Sequence, residues 1–262
     1  MGNQKENAGC RPHRWPRFLV KLLIPVILFG WLAVWLHQLR LEYLALFRLA
    51  LGGYSEGWPP VMDRLDGHIV GLRLSKVADD DLNDLGRFYK LHTLNLAASE
   101  RIPVEAGPGR VELKLVPVTE NRLTDSGLTH LERLTTLDWL SLRDTQVTDA
   151  GLQHLRTLAR LRVLNLEGCR ITGEGLAHLE NSKRLDSLLL SRSTITDEGL
   201  AHLARLPCLA HVSLNNTQVS DAGLMHLQRA ATLETMELVN TKVTDEGVKK
   251  LQHALPNCKI VR

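Results

Sequence analysis

A 24-residue repeat dominates the second half of the chain and restricts the folds available to it. The stretch "TQVTDAGLQHL" at 145–155 recurs as "STITDEGLAHL" at 193–203, "TQVSDAGLMHL" at 217–227 and "TKVTDEGVKKL" at 241–251. Apolar residues recur at the same 24-residue spacing at Leu140, Leu164, Leu188, Val212, Met236 and Ile260. A short, regular period indicates stacked units, each of which buries its apolar face only against its neighbours. We therefore expect a solenoid rather than one broad core.

Each unit is predicted to contain one short strand and one short helix. Leu164 and Leu166 alternate with a polar residue, as in a strand with one buried face. Thr148 and Asp149 precede the next apolar positions, and both can cap exposed amides at a helix start. Gly151, two residues later, would let the first helical turn pack closely. The column that contains Cys169 and several Thr residues is small and polar, which predicts side chains that bond the turning backbone.

The pattern L-x-x-L-x-L-x-x-[TNCS]-x-[VIL], followed by [VI]-[TS]-D-x-G-L-x-H-L, resembles the leucine-rich repeat, in its short 24-residue bacterial form. The resemblance covers residues 65–262 and implies an α/β solenoid of about nine strands, with a parallel sheet on the concave face and short helices on the convex face. Upstream, Leu72, Leu94 and Val116 are predicted to be the equivalent strand residues, although the steps between them shorten to 22 residues. Related repeats occur in eukaryotic F-box substrate receptors.

The amino-terminal segment is predicted to cross a membrane. Residues 18–36 read "FLVKLLIPVILFGWLAVWL" and would form a helix about 28 Å long, close to the thickness of a bilayer core. A cleaved signal peptide is the main alternative, but no A-x-A cleavage pattern follows; a buried globular helix is the other. We interpret residues 1–17 as a basic cytoplasmic tail, 18–36 as an uncleaved signal anchor, and 37–64 as a juxtamembrane helix and linker.

The charge distribution predicts the orientation of that anchor. Residues 1–21 carry a net charge of +4, and the rest of the chain sums to −1 because the whole chain has +3. The positive-inside rule keeps the basic tail in the cytoplasm, so the repeats of this single-pass inner-membrane protein are predicted to be extracytoplasmic. The outward strand positions of the repeats have no basic stripe and few aromatic residues, which argues against nucleic-acid binding.

No pattern in the sequence indicates catalysis, a cofactor or a metal. The motifs HExxH, GxxxxGK[ST] and GxGxxG are absent, and the GxSxG match at 53–57 lies in the stretch interpreted as a linker. A column of histidines is the best metal candidate, but units about 10 Å apart cannot share an ion through adjacent imidazoles alone. We expect these side chains to bond a backbone carbonyl or a neighbouring loop; they are His130, His154, His178, His202 and His226. The chain is therefore predicted to be non-catalytic, without a cofactor.

The outward strand positions vary between repeats and are the predicted binding surface. They form a mixed polar face on which Trp139 and Arg143 are the best hot-spot pair, since both residue types are enriched at hot spots. The alternative for Trp139 is that it shields a junction between repeats. The predicted contact residues are Trp139, Ser141, Arg143, Asn165, Glu167, His211, Asn215 and Glu237. We expect a membrane-anchored scaffold that binds a protein or an envelope polymer; the alternative is a cytoplasmic substrate-receptor adaptor.

Overall fold

The computed structural model describes residues 61–65, 68–74, 77–97, 99–105, 111–117 and 122–262. These belong to one unit of the chain, Glu42–Arg262. The predicted tail and anchor, and the linker up to residue 60, lie outside the described residues. Within the described ranges, no helix combines the length and apolar character that a membrane crossing requires.

Short strands alternate with short helices along most of the described chain. The strands are β1 (Val61–Leu65), β2 (His68–Arg73), β3 (Thr93–Asn95), β4 (Ser99–Glu105), β5 (Val111–Pro117), β6 (Trp139–Ser141), β7 (Val163–Asn165), β8 (Ser187–Leu189), β9 (His211–Ser213), β10 (Thr235–Glu237) and β11 (Lys259–Val261). The 3₁₀ helices are η1 (Asp79–Leu82), η2 (Leu85–Arg87), η3 (Ser126–Leu131), η4 (Asp149–Leu155) and η5 (Glu174–Leu179). The α-helices are α1 (Leu200–Leu203), α2 (Asp221–Leu227) and α3 (Asp245–Ala254).

One sheet of nine strands runs through the repeats in the order β1-β2-β3-β6-β7-β8-β9-β10-β11. The eight strands from β2 to β11 in this order pair in parallel, and β1 pairs with β2 in an antiparallel manner. Leu140 lies opposite Leu164, and Leu164 opposite Leu188, so the repeat period sets the register of the sheet. The predicted parallel sheet with short helices is thereby confirmed.

The prediction for Val116 was wrong. Val116 lies in β5, which pairs with β4 in a separate antiparallel sheet, and β3 pairs directly with β6 through Leu94 and Leu140. Strands β4 and β5 thus form an insertion between two consecutive turns of the solenoid. The error arose because "VELKLVP" alternates like any half-buried strand, and this alternation contains no information about the partner strand. The ninth strand of the sheet is the antiparallel β1 instead.

The core consists of leucine columns that continue from repeat to repeat. Leu140, Leu164 and Leu188 are each 0% exposed, and the same holds for most equivalent positions. Burying one such side chain stabilises the fold by about 1.5–3 kcal/mol. Several members of the small polar column close their turns, since the Oγ1 of Thr145 donates to the carbonyl of Leu142 at 2.7 Å and the Sγ of Cys169 donates to the same oxygen at 2.9 Å. The predicted structural role of this column is confirmed.

A column of left-handed residues turns the chain away from each strand. The residues are Asp144 (φ 56°), Gly168 (φ 69°), Arg192 (φ 60°), Asn216 (φ 59°) and Asn240 (φ 57°). The N–H of Asp144 donates to the carbonyl of Glu167 at 2.7 Å, and that of Asn216 to the carbonyl of Val239 at 2.8 Å. The left-handed turn therefore aims one amide at the following repeat. Gly, Asn and Asp tolerate this conformation best, which accounts for four of the five residues.

Candidate binding surface

The face of the sheet opposite the helices presents the side chains between the buried leucines; we call it the open face. Of the predicted contact residues, His211 and Glu237 are exposed, and Trp139 and Asn165 are half-buried. Ser141 is only 2% exposed, so its side chain is not accessible as a contact, contrary to the prediction. Alternation along a strand predicts which side a residue faces, but not how deeply its larger neighbours cover it.

An ionic cluster lies at one part of the open face, where strands β6 to β8 end. Arg143 Nη1 lies 2.9 Å from Glu167 Oε2, and Arg143 Nε lies 3.3 Å from Asp144 Oδ2. Arg192 Nη2 lies 2.9 Å from Asp144 Oδ1, which links a third repeat. The side chain of Arg143 is only 14% exposed. Arg143 is therefore held in place by carboxylates rather than free to reach a ligand.

A polar network covers the face at β8 to β10. Ser213 Oγ donates to Glu237 Oε2 at 2.8 Å, and Asn215 Nδ2 donates to the same oxygen at 2.7 Å. The hydroxyls of Ser191 and Ser213 lie 2.7 Å apart, and Asn215 Oδ1 accepts from the N–H of Val239 at 2.8 Å. These bonds fix the side chains before any ligand arrives, which lowers the entropy lost on binding.

Sequence reasoning missed Asp144 and Arg192 as members of the ionic cluster. They occupy the column next to that of Arg143 and Glu167, and they pair with each other across two repeat lengths. Because neighbouring strands are in register, side chains 24 residues apart stand side by side. Complementary charges in one column, such as Arg143 and Glu167, are the signal from which the ionic cluster could have been predicted.

The regularly spaced aspartates stabilise the solenoid rather than bind a ligand. Asp149 accepts hydrogen bonds from the N–H groups of Thr172 at 2.7 Å, Gly173 at 3.1 Å and Gly175 at 2.8 Å, all in the next repeat. The prediction that Asp149 caps its own helix was therefore wrong, whereas Thr148 does cap it through Ala150 N. Burial raises the pKa of Asp149, but the hydrogen bonds from Thr172 and Gly175 outweigh it and leave the pKa lowered.

Two members of the histidine column contact the loop of the preceding repeat, which is one of the two kinds of partner predicted for them. His154 Nδ1 lies 2.7 Å from Glu132 Oε1, and His202 Nδ1 lies 3.2 Å from Glu180 Oε1. The partner is thus a carboxylate of the preceding repeat, not a backbone carbonyl. Among the described residues, no group of three or more His, Cys, Asp or Glu side chains is placed to hold a metal ion.

Comparison with known proteins gives the same fold. Residues 160–179 match the family model described as "Leucine Rich repeat". No curated protein matches the chain. Among solved structures, internalin C2 from Listeria monocytogenes is 22% identical with a TM-score of 0.50, and the match covers 75% of this chain and 81% of that one. With the parallel sheet and its stacked leucines, this likeness defines the fold as a leucine-rich repeat solenoid.

Two further solved structures are similar over part of their length. A leucine-rich repeat protein of Leptospira interrogans is 21% identical with a TM-score of 0.47, and the match covers 69% of this chain but only 45% of that chain. Another internalin of Listeria monocytogenes is 18% identical with a TM-score of 0.41, with coverage of 75% and 58% respectively. The chain thus spans less than two thirds of either protein.

Proposed function

We propose that this protein is a non-catalytic scaffold, anchored in the inner membrane by residues 18–36, whose open face binds a protein or an envelope polymer. The amino-terminal tail would be cytoplasmic and the repeats extracytoplasmic. The leucine-rich repeat fold supports the binding role, because solenoids of this kind use their extended sheet face for recognition. The apolar run and its basic flank in the sequence support the anchor.

The observation that carries the binding role is the chemistry of the open face. Its polar side chains are held by bonds that cross from one strand to the next, such as Ser213 and Asn215 with Glu237. The face remains accessible, since His211 and Glu237 are exposed and Trp139, on strand β6, is half-buried. A fixed polar surface on a sheet that also carries an aromatic side chain suits the recognition of a folded or extended partner better than the enclosure of a small molecule.

Site-specific photo-crosslinking of the full-length protein in its native membranes tests the binding face. A crosslinker in place of His211 should capture a partner, whereas one in place of Met225, which is 55% exposed on helix α2, should not. Trp139→Ala should reduce the captured amount about tenfold, the loss typical of an interface aromatic residue worth more than 1 kcal/mol. Equal capture from both positions would refute the proposed face.

Alkaline extraction of membranes tests the anchor separately. The full-length protein should remain in the pellet, and a Leu28→Arg, Leu32→Arg variant should be released because two central charges oppose insertion by about 5–7 kcal/mol. Protease added to spheroplasts should digest the repeats. Protection of the repeats there would favour the cytoplasmic adaptor, and release of the unmodified protein would refute the anchor.

A further inference from the structure

One edge of the solenoid is formed entirely by loops that lead from a helix into the next strand; we call it the helix-to-strand edge. It consists of residues 132–138, 156–162, 180–186, 204–210 and 228–234. Strands β6 to β10 are parallel and in register, so these loops lie next to one another, about 4.8 Å apart. The opposite edge is formed by residues 142–149, 166–174, 190–198, 214–221 and 238–246.

The two edges carry opposite charge. The helix-to-strand edge has eight basic residues and five acidic ones, a net +3: Arg133, Arg156, Arg160, Arg162, Lys183, Arg184, Arg205 and Arg229 against Glu132, Asp138, Glu180, Asp186 and Glu234. The opposite edge has nine acidic residues and four basic ones, a net −5: Asp144, Asp149, Glu167, Glu174, Asp197, Glu198, Asp221, Asp245 and Glu246 against Arg143, Arg170, Arg192 and Lys242. The solenoid is thus electrically polarised across its width.

Several cations of the helix-to-strand edge have no partner within the described part of the chain. Three arginines of this edge pair with carboxylates beside them, as in the contact of Arg162 with Asp186 at 2.6 Å. The remaining five side chains are exposed and form no ion pair among the described residues: Arg133, Arg156, Lys183, Arg184 and Arg229. Their charge is therefore available to an external anion.

We propose that the helix-to-strand edge docks on the anionic phospholipid surface of the membrane. The five loops lie in one row and expose long basic side chains, an arrangement that matches a plane of phosphate groups. None of the five loops contains Phe, Trp or Tyr, so the edge has no platform on which nucleic-acid bases would stack. The acidic opposite edge is repelled by the same surface, which makes the orientation specific.

The proposed anchor strengthens this interaction, and the inference rests on it. Basic residues near an anionic surface contribute modestly, and a tether that holds the domain close raises its effective concentration. The affinity of the helix-to-strand edge for the membrane should fall as the salt concentration rises, because charges that attract across water are screened within about 3 Å at 1 M ionic strength. Docking would hold the open face at a defined angle to the membrane.

Cys208 is a natural reporter for this contact. It lies in the loop 204–210 of the helix-to-strand edge and is exposed, whereas Cys169 and Cys258 are buried. In a Cys10→Ser background, a donor dye on Cys208 of the full-length protein can transfer energy to acceptor-labelled headgroups in nanodiscs. Energy transfer is compared between discs of phosphatidylcholine alone and discs that include phosphatidylglycerol. The tether is present in both, so the difference between them gives the electrostatic contribution.

Energy transfer should be high in the anionic discs and fall to the level of the neutral discs in 1 M salt. The variant Arg156→Gln, Lys183→Gln, Arg184→Gln should lower the ratio of docked to undocked domains on the order of a hundredfold. A matched variant, Arg122→Gln, Arg170→Gln, Lys242→Gln, should dock like the parent: it removes two exposed cations of the opposite edge and Arg122, which lies two repeat lengths before Arg170 in the same column.

Equal transfer in neutral and anionic discs, or equal losses in the two triple variants, would overturn the proposed docking. The docking would also be overturned if a soluble polyphosphate bound the helix-to-strand edge while energy transfer in anionic discs stayed at the level of the neutral discs. Failure of the protein to enter the discs at all would instead refute the anchor, so the two failures are distinguishable.

Discussion

The carboxylate of Asp149 accepts the backbone N–H of Thr172 at 2.7 Å, although the two residues belong to successive repeats. The same hydrogen bond, from a backbone N–H to an aspartate carboxylate, joins Thr148 to Asp125 and Ser220 to Asp197, in each case at 2.8 Å. The aspartate of the repeated motif thus fastens one turn to the next in most repeats; Gly173 takes its place in one of them. In a solenoid, where stability is close to a sum of repeats and their junctions, this contact contributes directly to the junctions.

Asp149→Ala should destabilise the protein by about 2 kcal/mol, because it leaves three amides of the next repeat without their charged acceptor. Asp245→Ala is the matched control. Asp245 occupies the same column in the last repeat; its side chain is 87% exposed, and among the described residues its carboxylate is bonded only to Arg262. Its removal should change the free energy of unfolding by less than about 1 kcal/mol. Urea denaturation measures both, and equal losses would contradict the role of the column.

Acid should loosen the junctions of the solenoid. The folded-state pKa of Asp149 is lowered, and that of Asp79 likewise, because hydrogen bonds from Ser126 and Thr124 outweigh burial, which alone raises it. A depressed folded pKa contributes stability that is complete above the unfolded pKa, about 3.9 for Asp, and that is lost as pH falls through the folded pKa.

The unfolding free energy should therefore fall steeply between about pH 5 and pH 2. The dependence should be shallower in Asp149→Asn, which has no proton to gain at that site. Denaturation midpoints across this range test the prediction. A parallel pH dependence in the parent and the variant would show that Asp149 does not contribute to it.

Gly175→Ala should destabilise the fold by roughly 1–3 kcal/mol, as an overpacked site does. An added Cβ would lie 2.7 Å from the Cα of Asp149 and 2.9 Å from its carbonyl carbon, and backbone atoms cannot rotate away. Gly86→Ala is the control, since its Cβ would meet only Arg133 Cδ at 3.8 Å. That substitution should be neutral or stabilise by up to about 1 kcal/mol. Thermal unfolding of both variants measures this difference in stability; similar melting temperatures would argue against close packing at Gly175.

Thr217→Val should lower stability by about 1 kcal/mol. The Oγ1 of Thr217 donates to the carbonyl of Leu214 at 2.7 Å, and the residue is 1% exposed. Ser193 occupies the same column, but its buried Oγ has no hydrogen-bond partner in the described structure. Ser193→Ala should therefore leave the unfolding free energy almost unchanged. A loss at Ser193 as large as that at Thr217 would show that the two hydroxyls are equivalent.

Much of the repeat region could be predicted because its energetics are local and periodic. Leu164 and Leu166 are buried on either side of Asn165, as alternation requires, and the glycine at 151 lies where an added Cβ would meet Asp125. The left-handed column was not predicted, although Gly168, Asn216 and Asn240 share the preference for positive φ that could have revealed it. Of the predicted binding residues, the open face includes Trp139, His211 and Glu237 but not the buried Ser141.

The sequence by itself determined the period, the leucine columns and the parallel order of the strands, because burial of regularly spaced apolar side chains leaves few alternatives. The tertiary structure alone decided that strands β4 and β5 leave the main sheet, that Asp149 bonds the following repeat, and that Arg143 pairs with Glu167. These are choices between partners distant in the chain. The stacking of the repeats decides which backbone amides and charges come within about 3 Å of one another. A local sequence pattern does not specify those distances.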